Sequence, residues 1–170
     1  MEWLLLAGIA GLAWYANAGR LFRMYFMTDA ELRKVREATR SWVEYAVSGK
    51  EDRRLVTAIV AVESGGNPAA KSPAGAVGLM QITQPALDDY NAARGADYQL
   101  SQLAGMPQAN VAVGYWYLRT LETRHGLSRF DALRAYNVGI GTVRRDPIGE
   151  VGAGYATKVL AYAQRLEVLT

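Results

Sequence analysis

The sequence predicts a mainly α-helical domain behind an N-terminal hydrophobic helix. Three observations carry this expectation. Apolar residues recur at three- and four-residue spacing through most of the chain, strand signals are scarce, and two hydroxyl–carboxylate pairs, Thr28/Glu31 and Ser128/Asp131, have the spacing that opens a helix. We divide the chain into a hydrophobic segment, residues 1–27, and a domain, residues 28–170.

The N-terminal segment is apolar from Trp3 to Tyr15, and Asn17 is the only strongly polar side chain before Arg20. A membrane span takes about 20 mainly apolar residues. Trp3 to Gly19 is slightly short, but Arg20 can snorkel, and Trp14, Tyr15 and Tyr25 suit an interface. Three readings compete: a membrane anchor, a signal peptide cleaved near Ala16-Asn17-Ala18, and a helix docked on a core or partner. Glu2 stands where a signal peptide would carry positive charge, so we favour the anchor. The charges that follow are Arg20, Arg23, Arg33, Lys34, Arg36 and Arg40, and the positive-inside rule would leave the domain cytoplasmic.

Thr28-Asp29-Ala30-Glu31 starts the first helix of the domain, with Leu32, Val35, Thr39, Trp42 and Ala46 on one face and Gly49 as its end. The next helix begins at Glu51 or Asp52 and runs through Leu55 to Glu63. Residues 64–72 are rich in Ser, Gly, Asn and Pro, which makes a loop. Gly75 to Thr83 is ambiguous. A helix is expected near Ala86 to Ala93, a loop from Gly95 to Pro107, and a helix from Asn110 to Arg124. Ser128 opens another toward Tyr136, glycines mark a loop from Gly139 to Gly154, and Tyr155 to Leu169 forms the last helix.

Composition excludes several chemistries. The 170 residues contain no cysteine, so disulfides and thiolate metal sites are absent. The single histidine, His125, builds no metal cluster, and its setting is that of a helix C-terminus. We expect no cofactor and no metal. The net charge of +3 suits an anionic surface, but no basic stripe interleaved with aromatics points to nucleic acid.

Glu63 is the residue with an unusual address. It ends the apolar run Leu55-Val56-Thr57-Ala58-Ile59-Val60-Ala61-Val62, directly before Ser64-Gly65-Gly66-Asn67-Pro68. Desolvation and the negative end of a helix dipole both disfavour a carboxylate there, and both raise its pKa. A carboxyl kept protonated near neutral pH can act as a general acid. The alternative is an ordinary Glu pointing to water.

Beyond Glu63 come Ser72-Pro73-Ala74-Gly75-Ala76-Val77-Gly78-Leu79-Met80-Gln81, then Ala135-Tyr136-Asn137-Val138-Gly139, then Gly154-Tyr155-Ala156-Thr157-Lys158-Val159. In this order, over Leu55 to Ala163, the chain resembles the catalytic domain of soluble lytic transglycosylases, a lysozyme-like superfamily that includes goose-type lysozyme and cleaves peptidoglycan. The helix carrying Asn110, Gly114, Leu118 and Leu121 also resembles the family's.

The resemblance implies a lysozyme-like fold and a set of roles. Glu63 matches the catalytic acid. Tyr136 matches a tyrosine that hydrogen-bonds the catalytic carboxyl. Ser72 matches a serine near the reacting sugar, and Gln81 a glutamine lining the glycan groove. Asn137 lies beside Tyr136, and Tyr155 falls in a second tyrosine motif. Each has a plainer alternative. Ser72 can be a turn residue before Pro73, Gln81 can cap loop backbone, Tyr136 can be core, and Asn137 can bond backbone and hold the loop. One departure stands out: the family often has a proline two residues after the Gln-Ile pair, and here Pro85 comes one position later.

Glycosidases normally use two carboxylates. None of Asp88, Asp89, Asp97 and Asp131 stands at a spacing that marks it as a partner of Glu63. The resemblance implies a single acid that cleaves the MurNAc-β-1,4-GlcNAc bond without water and leaves a 1,6-anhydro end. The implied partner is the peptidoglycan glycan strand. The rival readings are a hydrolytic muramidase of goose-lysozyme kind and a non-catalytic glycan-binding membrane or virion protein. The wall lies outside the membrane, whereas the charge flanks place the domain inside it. We therefore expect a membrane-associated protein acting on the periplasmic wall, with a virion component as the alternative.

Overall fold

The computed structural model describes residues 26–146 and 148–169. The expected N-terminal hydrophobic helix lies outside the described residues, apart from Phe26 and Met27 at its C-terminal boundary.

Helix α1, Asp29–Ala46, opens on the expected box: the Glu31 N–H donates to Thr28 Oγ1 at 3.2 Å and the Thr28 N–H to Glu31 Oε2 at 2.7 Å. Its buried face is Leu32, Val35, Thr39 and Val43, so the stripe turns toward Val43, and Trp42 and Ala46 are only partly covered. The helix stops before Gly49. Val47 takes an extended conformation (φ −132°) and drops its side chain into the core. Gly49 is instead the residue that begins helix α2, Lys50–Ser64.

In α2 every residue from Leu55 to Ala61 is buried. No single stripe describes it because α1 and helix α8, Ala153–Val168, cover it from different sides. Burying one Leu or Ile side chain in such a place contributes about 1.5–3 kcal/mol. Gly65, in the left-handed conformation (φ 61°), terminates α2 one residue after Ser64.

The chain then forms the loop 65–83, whose only β pairing is two isolated bridges, Lys71 with Val77 and Val77 with Ile82. Helix α3, Gln84–Arg94, follows, with Pro85 in its first turn, where a missing N–H costs nothing. This accounts for the displaced proline: it starts a helix.

The stretch expected as loop before Pro107 contains a four-residue helix, α4, Leu100–Leu103, closed by reciprocal bonds between Gln99 and Gln102 and anchored by buried Leu103. Helix α5, Pro107–Thr123, leads to α6, Arg129–Val138, where Ser128 Oγ accepts the Asp131 N–H at 3.1 Å as expected. The glycine-rich stretch after α6 likewise holds a short helix, α7, Ile140–Arg144, pinned by buried Val143. Both short helices escaped the sequence reading because one turn gives periodicity nothing to repeat.

Helix α5 packs on α1, α3 and α6, and α6 packs on α8. One core therefore runs from α1 through α2 and α8 to α6, with the C-terminus of α2 emerging beside the loop 65–83. The described part is mainly helical, as expected. None of the described helices is long and apolar enough to cross a membrane.

Candidate active site

Glu63 occupies the last turn of α2 and lines a groove of about 620 Å3 together with Ser64, Ser72 and Gln81. The helix is fixed by its buried body, so the carboxyl is held on a rigid element, while the facing wall is the loop 65–83. Burial raises the Glu63 carboxyl above its ordinary value. One hydrogen bond opposes this as the smaller effect: Tyr155 Oη donates to Glu63 Oε1 at 2.6 Å.

Here the structure corrects one sequence expectation. Tyr136 does not bond the carboxyl; its hydroxyl donates to the Met80 carbonyl at 2.8 Å. Tyr155, from the first turn of α8, bonds Glu63 instead. The reason is packing geometry. Helix α8 lies along α2, whereas Tyr136 enters from the last turn of α6 and meets the loop first. Tyr136 stays within the field of Glu63. Its hydroxyl is pushed well above the usual tyrosine value, by burial first and then by the Glu63 charge. The Tyr155 hydroxyl is raised well above its usual value by the same two causes in the same order.

The loop wall is built by side chains that peg its backbone. Buried Asn110 of α5 accepts the Met80 N–H at 2.9 Å and donates to the Val77 carbonyl at 2.9 Å. Ser64 Oγ lies 2.9 Å from the Leu79 carbonyl and accepts the Gly66 N–H at 3.2 Å. The Met80 backbone is thus held at its N–H by Asn110 and at its carbonyl by Tyr136. Two glycines make this approach possible. A Cβ on Gly78 would lie 2.2 Å from Asn110 Nδ2, and one on Gly114 would lie 2.6 Å from Met80 Sδ.

Gln81 is the one described non-glycine residue with positive φ, 47°. Its side-chain amide donates to the Gly78 carbonyl at 2.9 Å and the Ala70 carbonyl at 3.3 Å. That is the loop-capping arrangement, on a residue that also lines the groove. A left-handed non-glycine residue costs about 1–2 kcal/mol, and such strain gathers at functional sites. Ser72 also combines both readings: its Oγ accepts the Ala76 N–H at 3.0 Å within a turn, and it lines the groove. Asn137 lies exposed on α6, with no hydrogen bond from its side chain to a described residue, and does not bond the loop backbone.

The structure brings Glu63, Ser72 and Gln81 to one groove, with Tyr155 on the Glu63 carboxyl and Tyr136 behind the loop. Lys71 and Lys158 add positive charge to the groove lining. Lys158 Nζ sits 5.8 Å from the Phe26 ring and 5.9 Å from the Tyr162 ring. Phe26 packs edge-on against Tyr162, and the Met27 N–H donates to the Tyr162 hydroxyl at 2.5 Å. The two residues just before the domain therefore line the same groove.

The sequence pattern assigned no role to Asn110, Ser64 or Arg134. The signal for two of them was a polar residue inside an apolar helical stripe, Asn110 before Val111 and Arg134 between Leu133 and Ala135. The buried guanidinium of Arg134 pairs with Asp146, donates to Asp131 Oδ1 at 2.8 Å and donates to the Val151 carbonyl at 2.9 Å. It clamps the loop from which α8 delivers Tyr155.

A mainly helical domain with a half-buried glutamic acid ending a core helix over a polar groove is of the lysozyme-like class. The chain belongs to the transglycosylase SLT domain family, whose profile matches residues 40–154. Over 75 residues it is 43% identical to the endo-type membrane-bound lytic murein transglycosylase A of Klebsiella pneumoniae, a match spanning 42% of this chain and 36% of that protein. The 70 kDa soluble lytic transglycosylase of Escherichia coli superposes with a TM-score of 0.67 at 28% identity, over 76% of this chain and 24% of the larger one. A structure of a 70-kDa soluble lytic transglycosylase with bulgecin A gives the same values. Lytic transglycosylase Slt of Pseudomonas aeruginosa, an inactive mutant, shares the fold with a TM-score of 0.61 at 24% identity, over 82% of this chain and 24% of that one. The chain thus spans about a third or less of the length of these relatives.

Proposed function

We propose that this chain is a peptidoglycan lytic transglycosylase with Glu63 as its single acid and base. The observation that carries the reading is a half-buried carboxyl, raised by burial, hydrogen-bonded by Tyr155 and opening on a groove of about 620 Å3. Protonated Glu63 gives its proton to the oxygen linking C1 of MurNAc to C4 of GlcNAc. The C1–O bond breaks and GlcNAc leaves as the free alcohol. The substrate's own N-acetyl oxygen supports the positive charge at C1. The Glu63 carboxylate then takes the proton of the C6 hydroxyl, O6 closes on C1, and a 1,6-anhydro end forms with the acid restored.

Tyr155 orients the Glu63 carboxyl, and Tyr136 holds the groove loop that meets the sugar. Ser72, Gln81 and the exposed Asn137 are the proposed glycan contacts. The relative's description as membrane-bound supports a setting at the cell envelope, with residues 1–27 as the tether. The test is digestion of purified peptidoglycan followed by mass spectrometry. Anhydro-muramic ends are expected, and Glu63→Gln should reduce the rate roughly a hundred- to ten-thousand-fold. Lysis by that variant at the normal rate would refute the assignment.

A hydrolytic muramidase is the second reading, because the groove lining includes one more carboxylate, Glu31. Its Oε2 already accepts the Thr28 N–H at 2.7 Å and the Thr28 hydroxyl at 2.8 Å, and these bonds hold its pKa down. That engagement favours a capping role over water activation. Reducing-end muramic acid in the digest would reverse the choice.

A further inference from the structure

At the opposite end of α2 from Glu63 lies a second cleft, of about 440 Å3, that the proposed reaction does not use. Arg36 and Arg40 of α1 and Lys50, Arg53 and Arg54 of α2 line it, with Glu44 as the one carboxylate among the lining residues. Glu167 of α8 pairs with Arg54 at 3.4 Å. Even with both carboxylates counted, the cleft holds as much excess positive charge as the whole chain's +3. Its floor is apolar, formed by Val43 and Leu166.

The arginines are held in place by bonds that occupy little of their donor capacity. Arg36 Nη1 donates to the Leu169 carbonyl at 2.8 Å, Arg53 Nε to the Val47 carbonyl at 2.6 Å, and Arg40 Nε to Glu44 Oε1 at 3.3 Å. A guanidinium carries five N–H donors, so these contacts fix each group while leaving most of its fork to a ligand. Bringing five cations to one concavity is unfavourable for folding unless an anion offsets it. Clustered guanidinium forks match phosphate oxygens, and a multiply charged phosphate matches the size of the excess. From Arg54 to Glu63 is about 14 Å along the helix axis, so the two sites are separate.

We propose that this cleft binds a phosphate-bearing anion, either a lipid headgroup or a soluble phosphate. The apolar floor takes the carbon portion attached to the phosphate. The proposal does not depend on what the groove cleaves.

The experiment titrates the full chain with inorganic pyrophosphate by calorimetry. It also measures co-sedimentation with phosphatidylglycerol vesicles and with phosphatidylcholine vesicles. Saturable pyrophosphate binding is expected, weakened at least about tenfold by the exposed-site double variant Arg40→Glu, Lys50→Glu and strongly by added salt. Charge-dependent sedimentation with the anionic vesicles that pyrophosphate competes away identifies a lipid headgroup. Pyrophosphate binding without such sedimentation identifies a non-lipid phosphate. Unchanged affinity in the double variant, with its circular dichroism intact, overturns the proposal. So does binding of poly-glutamate without binding of pyrophosphate.

Discussion

Tyr155 Oη donates a 2.6 Å hydrogen bond to Glu63 Oε1, joining the first turn of α8 to the last turn of α2 across 92 positions of sequence. The bond favours the charged carboxyl, while burial favours the neutral one and is the larger effect. A group proposed to act first as acid and then as base is served by both: burial favours the proton it must give, and the Tyr155 bond supports the carboxylate that takes one back.

Tyr155→Phe removes the charge-favouring bond, so the Glu63 pKa should rise further. The alkaline limb of the pH–rate profile should move to higher pH, while the maximal rate falls about ten- to a hundredfold from lost orientation. Tyr136→Phe should leave that limb nearly in place. Its main effect should be a loss of about 1–3 kcal/mol from the undonated Met80 carbonyl, read by denaturant unfolding.

Glu63 should cost the fold stability at neutral pH. Its folded pKa is raised above the ordinary 4.5, so the folded state binds the extra proton and stability declines as pH rises from about that value through the folded pKa. Glu63→Gln keeps an oxygen for Tyr155 and carries no charge. The variant should melt higher than the wild type at pH 7, with the difference disappearing below the ordinary carboxyl value. Thermal melts across pH check this.

Asn110→Ala leaves the Met80 N–H without a partner in a buried site, while the Val77 carbonyl keeps only the Ile82 N–H at 2.9 Å. A loss of about 1–3 kcal/mol is expected. Gly78→Ala should also destabilise, because its Cβ would overlap Asn110 and its φ of 78° is unsuited to alanine. In both variants weakened glycan binding should accompany the loss, measurable with a chitooligosaccharide titration.

Arg134→Ala strips the counter-charge from Asp146, whose side chain also accepts the Val151 N–H at 2.8 Å. About 3–5 kcal/mol is expected. Hydrogen exchange should show the loop 146–151 and the first turn of α8 opening, with activity falling as Tyr155 loses its placement.

The helices legible in the sequence are those whose ends carry chemistry. Thr28 with Glu31, Ser128 with Asp131, and Gly65 each mark a boundary through local hydrogen bonds or a local backbone angle. Gly49 was misread because glycine more often follows a helix end than precedes a start, whereas here buried Val47 had already turned the chain. Glu63 was legible because an apolar run and a glycine break lie beside it. Asn110 was named only as part of a helix resembling the family's and Arg134 not at all; apart from Asp131, three positions from Arg134, their partners lie 12 to 33 positions away.

The sequence by itself determined the helical class, from local pattern, the position of Glu63 at the end of an apolar helix, and, from motif order, Ser72 and Gln81 as residues near it in the groove lining. Only the tertiary structure decided which tyrosine meets the acid. The resemblance gave that role to Tyr136 and left Tyr155 only a place in a second tyrosine motif. The choice depends on α8 lying along α2 while α6 meets the loop, a matter of helix packing that no stretch of sequence encodes alone.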